Sequence, residues 1–273
     1  MATTIRKEDR APRSKPVAEV KRKNSTALYG RSGTGKTTLA STYPKPILYL
    51  NILDNGDESI SDVEGIDVVD IETSEDLQEQ ILWLHKKANK GTLIYKTVVL
   101  DTMTQLQGIL VKEMGVNKKL TGKGKKRPGD FGTLTKQDWG QIAGDLKAAI
   151  MDVRALPVNS VFIAQERVFN AGDEEDDGVD QLAPEVGTKL MPSVNKDLCA
   201  SVNIIGNTFI RIKVTKKKVD GKTTKIIKKQ FCLRLGPNEV YTTKIRKPKG
   251  IEAPDYIIDP TFRDIMNIVK GRE

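Results

Sequence analysis

The sequence predicts an α/β fold with a mainly parallel sheet flanked by helices, plus an antiparallel hairpin region toward the C-terminus. Three observations predict this class. Short β-rich runs alternate with segments of helical periodicity through residues 25–164, which is the element order of a parallel sheet with crossover helices. Several of these runs are continuously apolar, as in strands covered on both faces. After residue 207 the runs alternate apolar and polar residues around an Asp-Gly pair, which is typical of a hairpin.

The first elements predict a strand–loop–helix–strand unit. Residues 25–29 are apolar and run directly into Gly30, which indicates a buried strand followed by a turn. Residues 36–43 have helical character and stop before Pro44. The run "PILYLNIL" at residues 46–53 is rich in β-formers and ends at "DNG". Together these segments predict a βαβ unit.

The middle of the chain continues the alternation of helices and strands. Thr73 and Asp76 have the spacing of a helix start, and "TVVL" at residues 97–100 reads as a buried strand. A helix carrying Leu106, Leu110 and Val111 follows, and "SVFIA" at residues 160–164 predicts another buried strand. Between them a longer helix from Thr135 to about Leu156 is predicted to bury one stripe, formed by Trp139, Ile142, Leu146, Ile150 and Val153.

The last third has the pattern of antiparallel strands. "TFIRIKV" at residues 208–214 and "FCLRL" at residues 231–235 both alternate, and Asp220-Gly221 lies between them as a hairpin signal. A final helix is predicted for residues 261–269, where apolar residues share one face.

Composition limits the function classes. The chain has 273 residues, 38% of them hydrophobic, and a net charge of +9, which suits an anionic partner such as nucleic acid. Its two cysteines, Cys199 and Cys232, are too few for a disulfide framework and lack metal-ligand spacing, so no zinc site is expected. The sequence contains neither a secretory signal nor a membrane-length apolar run, which predicts a soluble cytoplasmic protein with no membrane contact. Residues 1–24 are charged and contain two prolines, so we expect a flexible basic tail.

The stretch "GRSGTGKT" at residues 30–37 fits the phosphate-binding pattern G-x-x-x-x-G-K-[ST] between a predicted strand and helix. Glycines let successive backbone N–H groups converge on phosphate oxygens, and the following helix directs its positive end at the same anion. The lysine then reaches the β- and γ-phosphates, and the Thr37 hydroxyl is a Mg²⁺ ligand. The alternative is a glycine loop that binds no nucleotide. The predicted nucleotide-binding residues are Gly30, Arg31, Ser32, Gly33, Thr34, Gly35, Lys36, Thr37 and Thr38.

Polar residues also stand at three predicted strand ends, where open α/β sheets bind ligands. Asp101 follows "TVVL" and is the candidate for holding the metal together with Thr37. Asp54 is a candidate for orienting or deprotonating the attacking water. Gln165 is a candidate sensor of the γ-phosphate, with Glu166 as its rival. The alternative for Asp54 and Gln165 is that each is a turn residue satisfying local backbone groups.

The order of these segments resembles the RecA-like ATPase core, and more closely the phage AAA family that includes the Sak-type single-strand annealing ATPases. The resemblance covers roughly residues 25–250. It implies a RecA-like P-loop ATPase domain over these residues. The final helix predicted from apolar spacing makes residues 251–273 a C-terminal helical extension. The segments that carry the resemblance are "YGRSGTGKTTLA", "PILYLNILDNG", "TVVLDTMTQL", "KQDWGQIAGDLKAAI", "LPVNSVFIAQE", "APEVGTKLMPSVNKDLCASVNIIG" and "VYTTKIRKP".

The resemblance implies cofactors, assembly and further catalytic residues. ATP and Mg²⁺ are the implied cofactors, with Lys36, Asp101 and Gln165 in catalysis. The water-activating acid maps to Asp54, although relatives often carry glutamate there with a different spacing. The late motif maps to Lys244 and Arg246, which in oligomeric relatives can reach a neighbour's γ-phosphate. The alternative is that the two residues form a solvated basic strand end. A homo-oligomeric ring or filament follows from the resemblance alone.

The segment "NKKLTGKGKKRPG" at residues 117–129 combines six basic residues with three glycines, which suits contact with a phosphate backbone. RecA-like relatives place DNA-binding loops after this strand and the next. A lysine cluster at residues 216–229 adds support, whereas an acidic run at residues 173–177 would repel phosphates. The alternative is a solvated surface loop. The predicted DNA-binding residues are Lys118, Lys119, Lys123, Lys125, Lys126 and Arg127.

These observations predict a Mg²⁺-ATP-binding RecA-like ATPase that acts on single-stranded DNA in phage recombination or replication, in the bacterial host cytoplasm if the gene belongs to a phage. A single-stranded DNA-binding protein is a further candidate partner. Two alternatives stay open. One is a DNA-annealing or scaffold protein that uses ATP as a switch and scarcely hydrolyses it. The other is a nucleoside or nucleotide kinase, which shares the phosphate loop but usually carries an arginine-rich lid.

Overall fold

A computed structural model describes residues 23–54, 56–120, 134–169, 185–219 and 222–271. Four predictions lie wholly or mostly outside these residues: the N-terminal tail, the acidic run at residues 173–177, the Asp220-Gly221 turn and most of the lysine–glycine segment. Within the described ranges, no helix combines the length and apolarity needed to cross a membrane.

The described residues form ten β-strands, six α-helices and one short 3₁₀ helix at Gly56–Ile60. The strands are β1 (Ser25–Gly30), β2 (Ile47–Ile52), β3 (Ile66–Ile71), β4 (Thr97–Asp101), β5 (Asn159–Phe169), β6 (Glu185–Thr188), β7 (Ile204–Val219), β8 (Lys222–Arg234), β9 (Lys244–Ile245) and β10 (Ile257–Ile258). The helices are α1 (Lys36–Ala40), α2 (Ser74–Asn89), α3 (Met103–Leu120), α4 (Lys136–Ala155), α5 (Pro192–Ser201) and α6 (Phe262–Lys270).

The strands join in the order β10-β8-β7-β1-β5-β4-β2-β3, with β6 on β5 and β9 on β7. The run from β7 through β1, β5, β4 and β2 to β3 is parallel, whereas β8 and β10 are antiparallel. The predicted fold class is therefore confirmed. Because parallel strands end at the same edge, β1, β2, β4 and β5 bring their C-terminal residues together at one edge of the sheet, called here the carboxyl edge.

Two apolar layers cover the sheet. Helices α2 to α5 pack on one face with Tyr29, Leu50, Leu100 and Phe162, and α1 and α6 pack on the other with side chains such as Leu28. Successive β1 residues thus enter opposite layers, which explains why these strands are continuously apolar in sequence.

Helix starts agree well with the sequence signals. Thr73 and Asp76 form a reciprocal capping box at the start of α2, as their spacing predicts. Thr135 and Asp138 cap α4 in the same way. The prediction that Trp139 belongs to the buried stripe of α4 is wrong, since the residue is 42% exposed and the stripe begins one turn later at Ile142.

Two other segments differ from the sequence-based boundaries. β5 continues to Phe169 because its second half pairs with β6, which the sequence did not predict. The residues after 250 join the sheet and the core: Ile257 pairs with Leu233 of β8, Phe262 of α6 lies against Tyr43, and Ile265 is fully buried. The predicted C-terminal helix therefore closes one face of the sheet.

Candidate functional site

The loop between β1 and α1 requires glycines, because its backbone closely approaches neighbouring groups. A Cβ at Gly30 would lie 2.3 Å from the Thr208 carbonyl oxygen, so only glycine lets β7 approach β1 this closely. Gly35 has a left-handed conformation at φ 83° and precedes α1, whose N-terminus no side chain caps. Thr34 Oγ1 stabilises the loop through two hydrogen bonds, with the Arg31 carbonyl oxygen at 2.8 Å and with Thr208 Oγ1 at 2.7 Å. The loop therefore leaves backbone N–H groups at the head of α1 for an anion.

Lys36 folds back over this loop. Its side chain is nearly buried, and Nζ donates to the carbonyl oxygens of Gly30 at 3.1 Å and Arg31 at 2.8 Å. Burial lowers the pKa of Lys36, while the nearby carboxylates of Asp101 and Asp54 act in the opposite direction. An additional anion in the cavity would stabilise the charged ammonium, so the lysine is suited to bind phosphate.

Thr37, Asp101 and Tyr49 form a buried cluster of oxygen atoms. Thr37 Oγ1 donates to Asp101 Oδ2 at 2.7 Å, and the Tyr49 hydroxyl donates to the same oxygen at 2.5 Å. Asp101 is only 2% exposed, and burial raises the pKa of its carboxyl group despite these two hydrogen bonds. The carboxylate is thus desolvated, and a bound cation would stabilise its charged form.

This cluster fits a magnesium ion. A hydroxyl and a carboxylate are hard oxygen ligands of the kind Mg²⁺ prefers. A Cβ at Gly56 would lie 3.2 Å from both Thr37 Oγ1 and Asp101 Oδ2, so the glycine keeps the space beside these oxygens open. Thr37 and Asp101 are therefore the residues that would hold the metal, as the sequence predicts.

The sequence did not single out Tyr49. Its ring lies in β2 in register with Val99 of β4, and burial together with the neighbouring Asp101 raises the pKa of its hydroxyl. A lone tyrosine within an aliphatic buried strand is the signal that could have drawn attention to it. Because the hydroxyl stays protonated, it acts as a hydrogen-bond donor that positions the Asp101 carboxylate.

The phosphate loop, Asp101 and two further strand ends line one cavity of about 600 Å³. Asp54 follows β2, and Gln165 of β5 is in register with Gly30. Glu58 and Ser59 of the 3₁₀ helix also line it, which the sequence did not predict. The structure therefore brings Lys36, Thr37, Asp101, Asp54 and Gln165 together at the carboxyl edge.

Glu166, the rival of Gln165, is engaged elsewhere. Its Oε1 accepts a 2.8 Å hydrogen bond from Nε of Arg31, which raises the pKa of the arginine. The Arg31 side chain is 84% exposed, so this ion pair lies at the rim of the loop. Glu166 does not line the first cavity and Gln165 does, which favours Gln165 as the residue that contacts a bound ligand.

A second cavity of about 270 Å³ adjoins the first. Both cavities are lined by Thr34, Gly35, Thr38 and Phe231, and a Cβ at Gly35 would lie 3.4 Å from the Phe231 ring. Phe231 is 42% exposed although it is a large apolar side chain. The second cavity extends along α1 to Thr42 and the loop at residues 259–261.

Lys244 and Arg246 are not brought to this site within one chain. Lys244 pairs with Ile205 at the start of β7, toward the opposite edge of the sheet. Its Nζ donates to the carbonyl oxygens of Cys199 at 2.7 Å and Ala200 at 3.3 Å, at the C-terminal end of α5. Arg246 is exposed.

The predicted DNA-binding residues are described only in part. Lys118, in the last turn of α3, forms an ion pair with Asp138, and this contact lowers the pKa of Asp138 to about 2. Lys118 therefore supports the start of α4. The Lys119 side chain and the whole of Lys123, Lys125, Lys126 and Arg127 lie outside the described part.

Comparison with known proteins gives a match to a family model and similarity to solved structures. The model of the AAA domain family matches residues 22–246, which include every residue that lines the first cavity. The solved structure of the KaiC-like protein PH0186 from the hyperthermophilic archaeon Pyrococcus horikoshii OT3 is similar to this chain. The TM-score is 0.40 and the sequence identity 11%, over 87% of this chain and 89% of that one. No curated protein matched.

Proposed function

We propose that this chain, which belongs to the AAA domain family of P-loop ATPases, hydrolyses ATP with Mg²⁺. In this proposal the protein acts on single-stranded DNA in phage recombination or replication. The observation that carries the ATPase part is the 2.7 Å contact between Thr37 Oγ1 and Asp101 Oδ2 beside the buried Lys36. These groups are the metal- and phosphate-binding parts that phosphoryl transfer requires.

The residues have separate roles in this proposal. Backbone N–H groups of the loop and Lys36 bind and orient the phosphates, and Thr37 and Asp101 hold the metal. When bound, Mg²⁺ neutralises charge that develops on the phosphate oxygens. Asp54 orients the attacking water and accepts its proton. The amide of Gln165 donates a hydrogen bond to the γ-phosphate.

The adjoining cavity supports a place for the nucleoside. A nucleotide whose phosphates occupy the first cavity would leave it past Thr38, and the second cavity begins there. In this proposal the base packs against the exposed face of Phe231, since aromatic rings stack readily on bases. Asp259 lines the far end and is the candidate acceptor for an amino group of the base.

Assembly and DNA contact form the second half of the proposal. Arg246 is exposed, so in a ring or filament it is the residue we expect to reach a neighbour's γ-phosphate, and Lys244 would first have to leave two carbonyl oxygens. The net charge of +9 supports an anionic partner. The basic segment at residues 117–129 remains the proposed first DNA loop. We place this activity in the cytoplasm.

Turnover assays with and without single-stranded DNA test the proposal against its alternatives. Phosphate release stimulated by single-stranded DNA is the expected result. Tight ATP binding without release would instead indicate an ATP-switched annealing or scaffold protein. Transfer of phosphate to a nucleoside or nucleotide in a scan of acceptors would indicate a kinase. Running each assay with ATP and GTP determines the base preference.

A further inference from the structure

The β7–β8 hairpin continues well beyond the sheet to which it belongs. Within the described residues, β7 pairs with β1 and β9 only through residues 204–208, and β8 pairs with β10 only through Cys232 and Leu233. From Arg211 opposite Gln230 to Val219 opposite Lys222 the two strands pair only with each other. Residues 211–219 span roughly 30 Å at about 3.3 Å per residue. We call residues 211–219 and 222–230 the arm.

The arm is strongly basic, and most of its described side chains are open to solvent. Residues 211–229 contain nine Lys and Arg residues and one acidic residue, Asp220. The described residues 211–215 and 227–229 are all exposed. Lys213 stands directly opposite Lys228 in the ladder, and like charges in this position destabilise a strand pair. An anion bound between these lysines would remove that cost.

The two faces of the arm differ in chemistry. Lys213 and Lys228 share one face, since side chains alternate along a strand and opposed residues point the same way. The other face carries Ile212, Val214 and Ile227, which are 61%, 55% and 67% exposed, and among its described side chains only Lys229, opposite Ile212, is charged. A two-stranded ribbon with both faces in water is marginally stable by itself. The combination calls for a partner that offers both negative charge and apolar surface.

Lysines on an exposed strand can also serve to prevent edge-to-edge aggregation. That role requires few of them and does not require lysines opposite one another on paired strands. The Lys213–Lys228 pair therefore points to a bound anion instead.

The base of the arm lies at the nucleotide site. β7 runs parallel to β1, with Thr208 opposite Gly30, so the arm extends from the carboxyl edge, past the phosphate loop. Phe231, which lines both cavities, is opposite Ile210 at the foot of the arm. A partner on the arm would thus lie beside the bound nucleotide.

We propose that the arm binds single-stranded DNA, with the phosphates on its lysine face and the bases against its apolar face. This inference rests on the DNA half of the proposed function. Single strands expose phosphates and base faces together, whereas a duplex stacks its base faces inside, so a surface with both chemistries fits the single strand better.

Three variants of the full chain test the proposal by fluorescence anisotropy with a labelled single-stranded oligonucleotide over a range of salt. A lysine-face variant carries Lys213→Gln and Lys228→Gln. An apolar-face variant carries Ile212→Thr, Val214→Thr and Ile227→Thr, which keeps β-branched side chains. A control variant removes the same charge from exposed lysines elsewhere, with Lys86→Gln and Lys90→Gln.

The two faces have different expected signatures. The lysine-face variant loses about tenfold or more in affinity at low salt, and its salt dependence flattens by about 0.7 per lysine, because fewer counterions are released. The apolar-face variant loses affinity while its salt slope stays unchanged. The control variant binds like the wild type. ATP turnover without DNA and the thermal unfolding midpoint stay at wild-type values in all three variants.

Several results would overturn the arm assignment. These are equal binding by the lysine-face and control variants, equal competition by polyglutamate and single-stranded DNA, or aggregation of the lysine-face variant with full DNA binding. Equal affinity of the wild type for duplex and single strand would overturn the choice of strand. If the wild type binds no DNA, both the arm assignment and the DNA half of the proposed function fail. ATP turnover would still test the ATPase half independently.

Discussion

The two edges of the same sheet handle buried polar groups in opposite ways. At the carboxyl edge, Lys36 and Asp101 are buried around a cavity of about 600 Å³. Burial lowers the pKa of Lys36 and raises that of Asp101, so it favours the neutral form of each group. At the amino edge, where the parallel strands begin, buried polar groups pair with one another. Asn159 accepts from the Asn24 backbone N–H at 3.1 Å and donates to the Lys96 carbonyl oxygen at 3.1 Å.

Other contacts at the amino edge follow the same rule. Ser160 Oγ donates to Ser25 Oγ at 2.7 Å, and Thr97 Oγ1 donates to the Pro44 carbonyl oxygen at 2.8 Å. Polar groups that satisfy one another stabilise the fold. Charged groups that are desolvated beside a cavity remain available to bind a ligand. The two edges therefore differ in role: one contributes to stability and the other to function.

The comparison is tested most strongly by Lys36→Ala. Loss of this positive charge should reduce ATP turnover by about 100-fold to 1,000-fold, which is the typical effect of removing one preorganised donor. Folding should be retained, because the substitution removes a desolvated cation and no paired charge. Lys45→Ala is the matched control, since the Lys45 side chain donates to the Glu64 carbonyl oxygen and does not line the first cavity. Turnover and circular dichroism measure the two effects, and unchanged turnover would refute the site.

Asp101→Asn should separate activity from stability. The substituted side chain keeps an oxygen that accepts from Thr37 and Tyr49 but loses the charge, so turnover should fall by about 100-fold. Without nucleotide and metal the variant should be more stable than the wild type at neutral pH, by about 1 kcal/mol.

The pH dependence of that gain follows from the raised pKa of Asp101. A raised pKa favours the protonated folded form, so the wild type loses stability as the pH rises through the folded-state pKa. The stability difference between the Asp101→Asn variant and the wild type should therefore vanish at low pH and grow with increasing pH. Thermal unfolding across a pH series measures it, and a constant difference would contradict the burial argument.

A smaller effect on turnover should distinguish Gln165 from its neighbour Glu166, at the end of the β1–β5 pairing. Gln165→Ala should reduce turnover about tenfold, the equivalent of one neutral hydrogen bond in the transition state. Glu166→Gln should have little effect, because Glu166 pairs with the exposed Arg31 outside the cavity. Steady-state kinetics of both variants decides between them, and the reverse ranking would make Glu166 the catalytic residue.

The amino edge should show the opposite behaviour. Asn159→Ala removes two partly buried hydrogen bonds and should lower the free energy of unfolding by about 2 kcal/mol, with turnover per folded molecule unchanged. Asn159→Asp keeps the acceptor and serves as the partial control. Chemical denaturation measures the loss. A turnover defect without a stability defect would break the comparison between the edges.

Local patterns carried much of the prediction. The spacing of Gly30, Gly35 and Lys36 specifies a phosphate loop because backbone turning and ammonium reach are short-range requirements. Continuous apolar runs specify buried parallel strands because both faces of each strand must be covered. The Thr73–Asp76 capping box follows from contacts within one helical turn. The sequence by itself thus determined the α/β class, the loop and the acidic strand end at Asp101.

Tertiary structure decided which distant residues share the site. Tyr49 reaches Asp101 only because β2 pairs with β4. Phe231 of β8 meets Gly35 only because β8 pairs with β7 and β7 pairs with β1. The same pairing places Lys244 toward the opposite edge and extends the arm past the phosphate loop. Strand order and register arise from packing between segments far apart in the chain, so no local pattern encodes them.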